Sequence, residues 1–243
     1  MITTESGTSA LLVEGLHRSF ARVPVLKDLD LDLAWGNIQA VFGANGSGKT
    51  TLVRILASLT RPDSGRIQIA GRELRSNSIA LRRLVGVVSH QPLLYGDLTG
   101  YENLRFYGRM FQLQDLATCI EQAAAQMGVL DLLNRQVRTL SHGMQKRLSL
   151  ARAILHNPPI LLLDEPETGL DQEALDYLEA MLEDGKALLR TVLMTTHSLE
   201  RGLNLSDRVA ILAQGRIVYE ESCKNLDASV LRDAISTHME VRR

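Results

Sequence analysis

The stretch IQAVFGANGSGKTTLVRILASL, residues 38–59, predicts the fold of the chain's core. Residues 38–42 are mostly apolar and predict a strand, and residues 51–59 have the apolar spacing of a helix. Between them, residues 43–50 read GANGSGKT, which matches G-x-x-x-x-G-K-[S/T] at every position. A strand that leads through such a loop into a helix is typical of an α/β fold with a phosphate site at the edge of its sheet.

The loop contains the residue types that phosphate binding requires. Its glycines let the backbone curl so that successive N–H groups point at phosphate oxygens, and the helix N-terminus adds partial positive charge. Lys49 is predicted to reach the β- and γ-phosphates, and the Thr50 hydroxyl to hold Mg²⁺. Kinases, GTPases and motor ATPases all carry this loop, so it does not identify the reaction alone. The residues predicted to bind the nucleotide here are Gly43, Ala44, Asn45, Gly46, Ser47, Gly48, Lys49, Thr50 and Thr51.

Two adjacent acids follow a second apolar run, at residues 160–165 (ILLLDE). A buried strand would deliver Asp164 to the edge of the sheet where ligands bind, and its carboxylate suits Mg²⁺ held through water. Glu165, one residue further, is predicted to polarise the attacking water as general base. His197 ends another predicted strand at the same edge, where a neutral imidazole would contact the γ-phosphate; a purely structural role is the alternative.

Apolar runs alternate with helical patterns along most of the chain, except in its middle. From about residue 101 to 140 the apolar residues recur at helical spacing, which predicts an α-helical subdomain, at about 92–155, inserted in the α/β core. Ser141 is a predicted N-cap for a helix that runs to Ile154. We further predict a disordered tail at 1–10, a core domain at 11–225 and a terminal helix at 226–243. The predicted strands are 11–16, 29–33, 38–42, 66–70, 86–89, 160–164, 192–195, 209–212 and 216–219.

Composition indicates an ordinary globular chain of 243 residues with a net charge of −1. This charge gives no general attraction to nucleic acid, so no nucleic-acid partner is expected. No apolar run approaches the roughly 18 residues that a membrane span needs, and the polar start does not resemble a secretory signal. Two distant cysteines, Cys119 and Cys223, suggest neither a disulfide framework nor a metal site. We therefore expect a cytoplasmic protein that does not insert into the membrane.

Residues 140–145, LSHGMQ, resemble the signature motif of ABC-type ATPases, and the other motifs of that family follow in order. Phe20 matches the aromatic that stacks on adenine, and Gln91 matches the Q-loop glutamine that touches Mg²⁺. Residues 169–171 match the D-loop, Glu165 the catalytic glutamate and His197 the switch histidine. The resemblance covers about residues 11–225 and implies a P-loop ABC cassette. Such a cassette has a mostly parallel central sheet, an antiparallel β portion and the helical subdomain.

The resemblance also implies ATP hydrolysis with Mg²⁺ by two cassettes that face each other head to tail. Catalysis would depend on Lys49, Gln91, Glu165 and His197. The metal would be held by Thr50, Gln91 and Asp164. Ser141, His142 and Gly143 would cap the γ-phosphate of a nucleotide held by the facing cassette. The partner cassette is expected to be a second copy of this chain, although a different cassette would complete the site equally well.

The signature departs from the common LSGGQ pattern. His142 replaces its first glycine, and the sequence leaves open whether this side chain contacts nucleotide or points away. Met144 replaces the glutamine, which is familiar in exporter cassettes of the ABC-2 type. The family resemblance therefore implies the ATPase subunit of an exporter, attached through membrane permease subunits to the cytoplasmic face of the cell membrane.

A narrower resemblance lies around the Q-loop and the switch histidine. Residues 87–95 (VVSHQPLLY), 97–99 (DLT), 102–107 (ENLRFY) and 195–202 (TTHSLERG) resemble the heme-exporter ATPases of cytochrome c maturation. The alternatives are a drug- or polysaccharide-type ABC-2 exporter, a soluble ABC protein that works on ribosomes or DNA, and a P-loop kinase or nucleotide sensor. The last two are disfavoured, because the chain has neither a second cassette nor a basic face, and a kinase would have no use for a signature motif.

Overall fold

The computed structural model describes residues 9–74 and 79–239, which form two sheets and the helices that cover them. The strands are β1 (Ser9–Phe20), β2 (Val23–Ala34), β3 (Ile38–Phe42), β4 (Ser64–Ile69), β5 (Arg72–Glu73), β6 (Val85–Val88), β7 (Ile160–Asp164), β8 (Thr191–Thr195), β9 (Arg208–Ala213) and β10 (Arg216–Ser222). The α-helices are α1 (Lys49–Leu56), α2 (Ile79–Arg82), α3 (Gly100–Met110), α4 (Leu116–Gln126), α5 (His142–Ile154), α6 (Gln172–Ala187), α7 (Leu199–Leu205) and α8 (Ala228–Met239).

The central sheet has six strands in the order β10-β9-β3-β8-β7-β6. All neighbours are parallel except β10, which pairs antiparallel with β9. Every residue of β3, β7 and β8 is buried, as expected for inner strands covered on both faces. Because these strands are parallel, their carboxyl ends meet at one edge. The sequence prediction of an α/β fold with a mostly parallel central sheet is confirmed.

The second sheet has four antiparallel strands in the order β2-β1-β4-β5 and forms the antiparallel β portion. The sequence predicted residues 11–16 of β1 and 29–33 of β2 and missed the remaining parts of both strands, most of whose residues are partly or fully exposed. It missed β5, which has two exposed residues and no apolar alternation.

The predicted tail, residues 1–10, requires a correction at its last two positions. Residues 9 and 10 belong to β1, because Ala10 is fully buried and its carbonyl accepts a hydrogen bond of 2.9 Å from the Ala70 N–H. Residues 1–8 lie outside the described residues.

The middle of the chain is helical, as its apolar spacing predicts. Helices α3, α4 and α5 pack together with two short 3₁₀ turns at Leu130–Leu132 and Val137–Thr139. No strand occurs at residues 101–140, all of which the structure describes, and a single antiparallel bridge joins Thr99 to Gln136. The predicted N-cap is confirmed, since the Ser141 hydroxyl accepts a hydrogen bond from the Met144 N–H. The domain boundaries at 11–225 and 92–155 stay a prediction.

The last described helix is α8, which contacts α7, contains the buried Leu231 and lies within the terminal helix predicted at 226–243. Residues 240–243 are outside the described part. Among the helices at 9–74 and 79–239, none has the length and apolar character that crossing a bilayer requires.

The contact between α5 and the central sheet requires a glycine in β6. A Cβ atom at Gly86 would lie 2.3 Å from the carbonyl oxygen of Ala153 in α5 and 2.6 Å from the Leu161 side chain. We therefore expect Gly86→Ala to lower the free energy of unfolding by about 1–3 kcal/mol, the usual cost of overpacking. Urea denaturation followed by circular dichroism would measure it.

The control is Gly96→Ala, because a Cβ atom there meets only Arg138 Cβ at 3.7 Å. This variant should stay within about 0.5 kcal/mol of the unchanged protein. Equal stability of both variants would contradict the tight α5–β6 contact.

Candidate active site

The phosphate loop connects β3 to α1 and has the curled shape that its sequence predicts. Gly48 precedes α1 with φ +113°, and a Cβ atom there would lie 2.6 Å from the Leu26 side chain. At Gly43 a Cβ atom would lie 2.5 Å from the Leu212 carbonyl oxygen. Larger residues would therefore force the loop away from β2 and β9. The two glycines keep the loop against the sheets and its N–H groups at the start of α1.

Lys49 lies inside the curve of this loop. Its ammonium donates hydrogen bonds to the carbonyl oxygens of Gly43, at 2.7 Å, and Ala44, at 3.3 Å. It also lies 4.0 Å from Glu165 Oε1. Burial lowers the pKa of Lys49, while the carboxylates of Glu165 and Asp164 oppose that shift. The ammonium is therefore fixed between the loop and the acid pair, where a phosphate on the loop would meet it.

The acid pair stands at the carboxyl end of β7, and its two members have different surroundings. Asp164 is only 1% exposed, and the Thr195 hydroxyl donates a hydrogen bond of 2.9 Å to its Oδ1. Its other oxygen, Oδ2, is buried and has no hydrogen-bond partner among the described residues. A buried carboxylate oxygen without a donor is an unfavourable arrangement that a cation or its water shell would relieve.

Glu165 departs from the strand with φ +47°, which is unusual for a residue other than glycine. Its N–H contacts both oxygens of Thr195, the carbonyl at 3.2 Å and the hydroxyl at 3.0 Å. At this residue the chain therefore leaves the extended path of β7. Glu165 Oε1 lies 2.6 Å from Nε2 of His197, which follows β8. The structure thus brings together the glutamate and the histidine that the sequence places at one edge of the sheet.

A cavity of about 310 Å³ joins the phosphate loop to Glu165. The Thr50 and Thr51 side of the loop faces it, and so does Val25 from β2, which the sequence did not single out. Because Val25 lies on a different sheet, only the packing of β2 against the loop reveals it. The residues lining the cavity are Val25, Asn45, Gly46, Gly48, Lys49, Thr50, Thr51 and Glu165.

Other predicted site residues do not line this cavity. Phe20 lies at the end of β1, about half exposed, with the Arg18 guanidinium 4.5 Å above the centre of its ring. Gln91 is exposed after β6, and its backbone carbonyl accepts a hydrogen bond of 2.6 Å from the Ser89 hydroxyl. Their predicted contacts with adenine and with the metal therefore stay predictions.

The signature residues also lie outside the cavity, at the N-terminus of α5. Ser141 and His142 are exposed, and Gly143 is half-buried. The His142 ring lies against the loop that follows Glu165, since a Cβ atom at Gly169 would be 2.7 Å from His142 Cδ2. In the single chain, the side chain that replaces the common glycine thus contacts the D-loop.

Thr195 is a residue near the acid pair that sequence reasoning missed. Its side chain donates to Asp164 and accepts from the Glu165 N–H, so it orients both acids. The parallel register places Thr195 directly beside Asp164. The predicted strand included Thr195, but its register against β7 was needed to recognise the contact.

The fold and the loop define a P-loop nucleotide-binding protein, and comparisons with known proteins identify the family. A sequence model described as "ABC transporter" matches residues 26–168. The chain is 34% identical over 233 residues to the daunorubicin resistance ATP-binding protein DrrA3 of Streptomyces coeruleorubidus, covering 93% of this chain and 72% of that protein. It is 31% identical over 207 residues to the ABC transporter ATP-binding protein NatA of Bacillus subtilis, covering 84% of each. The chain therefore belongs to the ABC transporter ATP-binding family and is an ATP-hydrolysing cassette.

Two further similarities agree with this assignment, and a third extends to the fold alone. The Nod factor export ATP-binding protein I of Cupriavidus pinatubonensis is 34% identical over 235 residues, covering 95% of this chain and 72% of that protein. A solved structure of an ATP-binding subunit of an ABC transporter superposes with a TM-score of 0.85 at 26% identity, covering 94% of this chain and 100% of that one. The dimeric ABC transporter cassette MJ0796, at 23% identity and a TM-score of 0.82, covers 89% of this chain and 100% of that one and shares the fold.

The arrangement at Glu165 predicts how hydrolysis depends on its carboxylate. Glu165→Gln keeps the side chain's shape but removes the base, so hydrolysis should fall by at least about 10²-fold, the scale typical of a general base. ATP binding should be retained. Phosphate release and equilibrium binding of a fluorescent ATP analogue would measure the two effects.

The control is Glu183→Gln, which changes an exposed glutamate of α6. Its hydrolysis rate should match that of the unchanged protein. Near-normal turnover of Glu165→Gln would assign the base to another residue.

Proposed function

We propose that this chain is the ATP-hydrolysing subunit of an exporter and that two cassettes complete its sites head to tail. The observation that carries the proposal is the separation of the site's two halves in one chain. The phosphate loop and Glu165 share one cavity, while Ser141, His142 and Gly143 lie at the N-terminus of α5 and do not line it. An exposed helix N-terminus with Ser141 as its N-cap is suited to bind a phosphate presented by another molecule.

Within one half-site the residues take separable roles. The loop N–H groups and Lys49 hold the β- and γ-phosphates, and Glu165 accepts a proton from the attacking water. His197 Nε2 lies 2.6 Å from Glu165 Oε1, and in the tautomer protonated at Nε2 it would donate to that oxygen and keep the carboxylate oriented. Phe20 would stack on adenine. Ser141, His142 and Gly143 of the facing cassette would stabilise the charge on the γ-phosphate.

The residues also fit Mg²⁺, although no group of three or more His, Cys, Asp or Glu suited to a metal occurs in the described part of the chain. Such a group is not needed, because Mg²⁺ on a nucleotide keeps several waters and takes few protein ligands. Asp164 Oδ2 is buried without a donor, and Thr50 lines the phosphate cavity. We propose Thr50, Asp164 and Gln91 as the residues that hold the ion. When bound, it would neutralise charge on the β- and γ-phosphates.

A groove beside the Q-loop supports a membrane subunit as the second partner. This groove, of about 580 Å³, carries apolar side chains from several elements, and Ile79 and Met110 are 70% and 62% exposed. Three arginines, Arg82, Arg83 and Arg152, line the same groove. Such a lining suits a short amphipathic segment that carries a carboxylate. We place the permease contact here, which would locate the chain at the cytoplasmic face of the membrane.

The cargo is proposed from the relatives. DrrA3 is named for daunorubicin resistance and protein I for Nod factor export, so a drug-type or polysaccharide-type ABC-2 exporter is the assignment that similarity favours. Heme export rests on the resemblance around Gln91 and His197 alone, and none of the relatives named above is described as a heme exporter. Identification of the membrane proteins that co-purify with the tagged chain would distinguish heme export from drug- or polysaccharide-type export. Heme-export permeases would establish heme export, and drug- or polysaccharide-export permeases would exclude it.

Head-to-tail assembly predicts that a bulky charged side chain at the signature blocks dimerisation but not nucleotide binding. In the Glu165→Gln background, which retains ATP, Ser141→Arg should leave nucleotide binding by the monomer unchanged and abolish the ATP-induced dimer. Size-exclusion chromatography with light scattering would measure the dimer.

Ser236→Arg, at an exposed serine of α8, is the control and should still dimerise. A dimer that persists in the Ser141→Arg variant would overturn the head-to-tail arrangement.

The hydrogen bond from Thr195 to Asp164 predicts a role in metal binding. Thr195→Val keeps the shape of the side chain but removes its hydrogen bonds to Asp164 and to the Glu165 N–H. Residues that orient metal ligands typically contribute about 10–100-fold to metal affinity. The Mg²⁺ concentration that gives half-maximal hydrolysis should rise by about that factor.

Thr191→Val is the matched control, because it removes a buried hydroxyl at the other end of β8 that accepts from the Gly36 N–H at 2.9 Å. It should leave the Mg²⁺ dependence unchanged. Identical Mg²⁺ titrations for both valine variants would contradict the proposed role of Thr195 in metal binding.

A further inference from the structure

Lys146 is a buried lysine between the signature and the acid pair. It lies in the second turn of α5 and is 5% exposed. Its ammonium donates hydrogen bonds to the backbone carbonyl of Glu165, at 3.0 Å, and that of Asp164, at 3.4 Å. Neither the phosphate loop nor the cavity lining includes this residue. The Lys146 side chain therefore contacts the backbone carbonyl groups of the acid pair and lies outside the lining of the phosphate cavity.

Filling space alone would not favour a lysine here. Removing an ammonium from water is costly, and an apolar side chain of similar length would occupy the same volume without that cost. Burial lowers the pKa of Lys146, opposed by the carboxylates of Asp164, Glu167 and Glu165. Its hydrogen-bond acceptors are carbonyl oxygens of the peptide groups that determine where Glu165 points.

The backbone of Glu165 requires such support. A residue other than glycine in the left-handed region costs on the order of 1–3 kcal/mol and persists only where its surroundings enforce it. Thr195 holds the N–H of Glu165, and Lys146 holds its carbonyl group. The two contacts together fix the peptide units on both sides of the side chain that is proposed to activate water.

A second contact joins the same two segments nearer the start of α5. The His142 ring lies against Gly169, and a Cβ atom at Gly143 would be 2.9 Å from the Gly169 carbonyl oxygen. The first two turns of α5 thus contact the chain at both ends of residues 165–169. A displacement of the helix N-terminus would move this segment with it.

We infer that Lys146 is a positioning residue for Glu165, through which the signature end of α5 is connected to the base of the same chain. The inference rests on the proposed head-to-tail function. In that arrangement Ser141–Gly143 contact the nucleotide of the facing cassette, whereas Glu165 acts on the chain's own nucleotide. Lys146 then links the two nucleotide sites of the dimer. Binding of the signature residues to the facing cassette's nucleotide would orient Glu165 at the chain's own nucleotide.

Lys146→Met tests this link, because it removes the ammonium and keeps most of the apolar stem. The expected result is a kcat about 10–100-fold lower, the scale of a misplaced catalytic group, with KM for ATP changed less than about threefold. Any cooperativity of hydrolysis with ATP concentration should also be lost. Steady-state phosphate release and thermal unfolding of the full chain would measure these effects.

Arg147→Met is the matched control. The neighbouring Arg147 also donates to a backbone carbonyl, that of Gly128 at 3.2 Å, but this contact lies away from the acid pair. The Arg147 variant should keep its kcat, whatever its stability. If Lys146→Met does not fold, Lys146→Gln, whose amide is too short to reach both carbonyls, should show the same loss of kcat. A kcat within twofold of the unchanged protein in the folded variant overturns the inference.

A double-mutant cycle with Glu165→Gln separates positioning from general damage. If Lys146 acts through Glu165, the double variant should hydrolyse ATP no more slowly than Glu165→Gln alone in single-turnover measurements. Losses that multiply would show that Lys146 acts independently and would reject the inference. If Glu165→Gln itself stays active, the proposed role of the base fails; if only Lys146→Met stays active, the proposed function stands without this link.

Discussion

Asp164 is buried at the carboxyl end of β7, and the rest of the site depends on how that carboxylate is held. The Thr195 hydroxyl donates to one of its oxygens and accepts from the next N–H, so a single side chain orients the buried acid and turns the chain at Glu165. This is possible only if β7 and β8 are parallel and in the observed register. The same sheet places β3 beside β8, which brings the phosphate loop to the acids.

Charge is distributed around this point in a way that favours an anionic ligand with a cation. Lys49 lies between the loop carbonyls and Glu165, and Lys146 lies behind the acid pair. Both ammonium groups are largely buried, and burial lowers both pKa values while the carboxylates oppose the shift. Glu165 and its contact His197 remain nearest the solvent. The arrangement keeps the chemical groups accessible while the charges that position them stay inside the protein.

Helix α5 connects this site to two proposed partners. Its N-terminus carries the signature, its second turn contacts the backbone of the acid pair through Lys146, and Arg152 near its end lines the groove proposed for a membrane subunit. Glycine at position 86 lets the helix approach β6 closely, so the helix packs directly against the sheet. A packed helix with contacts at both ends is the kind of part that transmits a small displacement between sites.

The sequence by itself determined the phosphate loop, the acid pair, the N-cap at Ser141 and the α/β class, because each depends on neighbours along the chain. The full extent of β1 and β2, the strand β5 and the contacts of Thr195, Lys146 and His142 were decided only by the tertiary structure. They depend on strand register and helix packing between segments distant in sequence, which leave no local pattern. The site's groups could thus be predicted, but the groups that hold Glu165 in place could not.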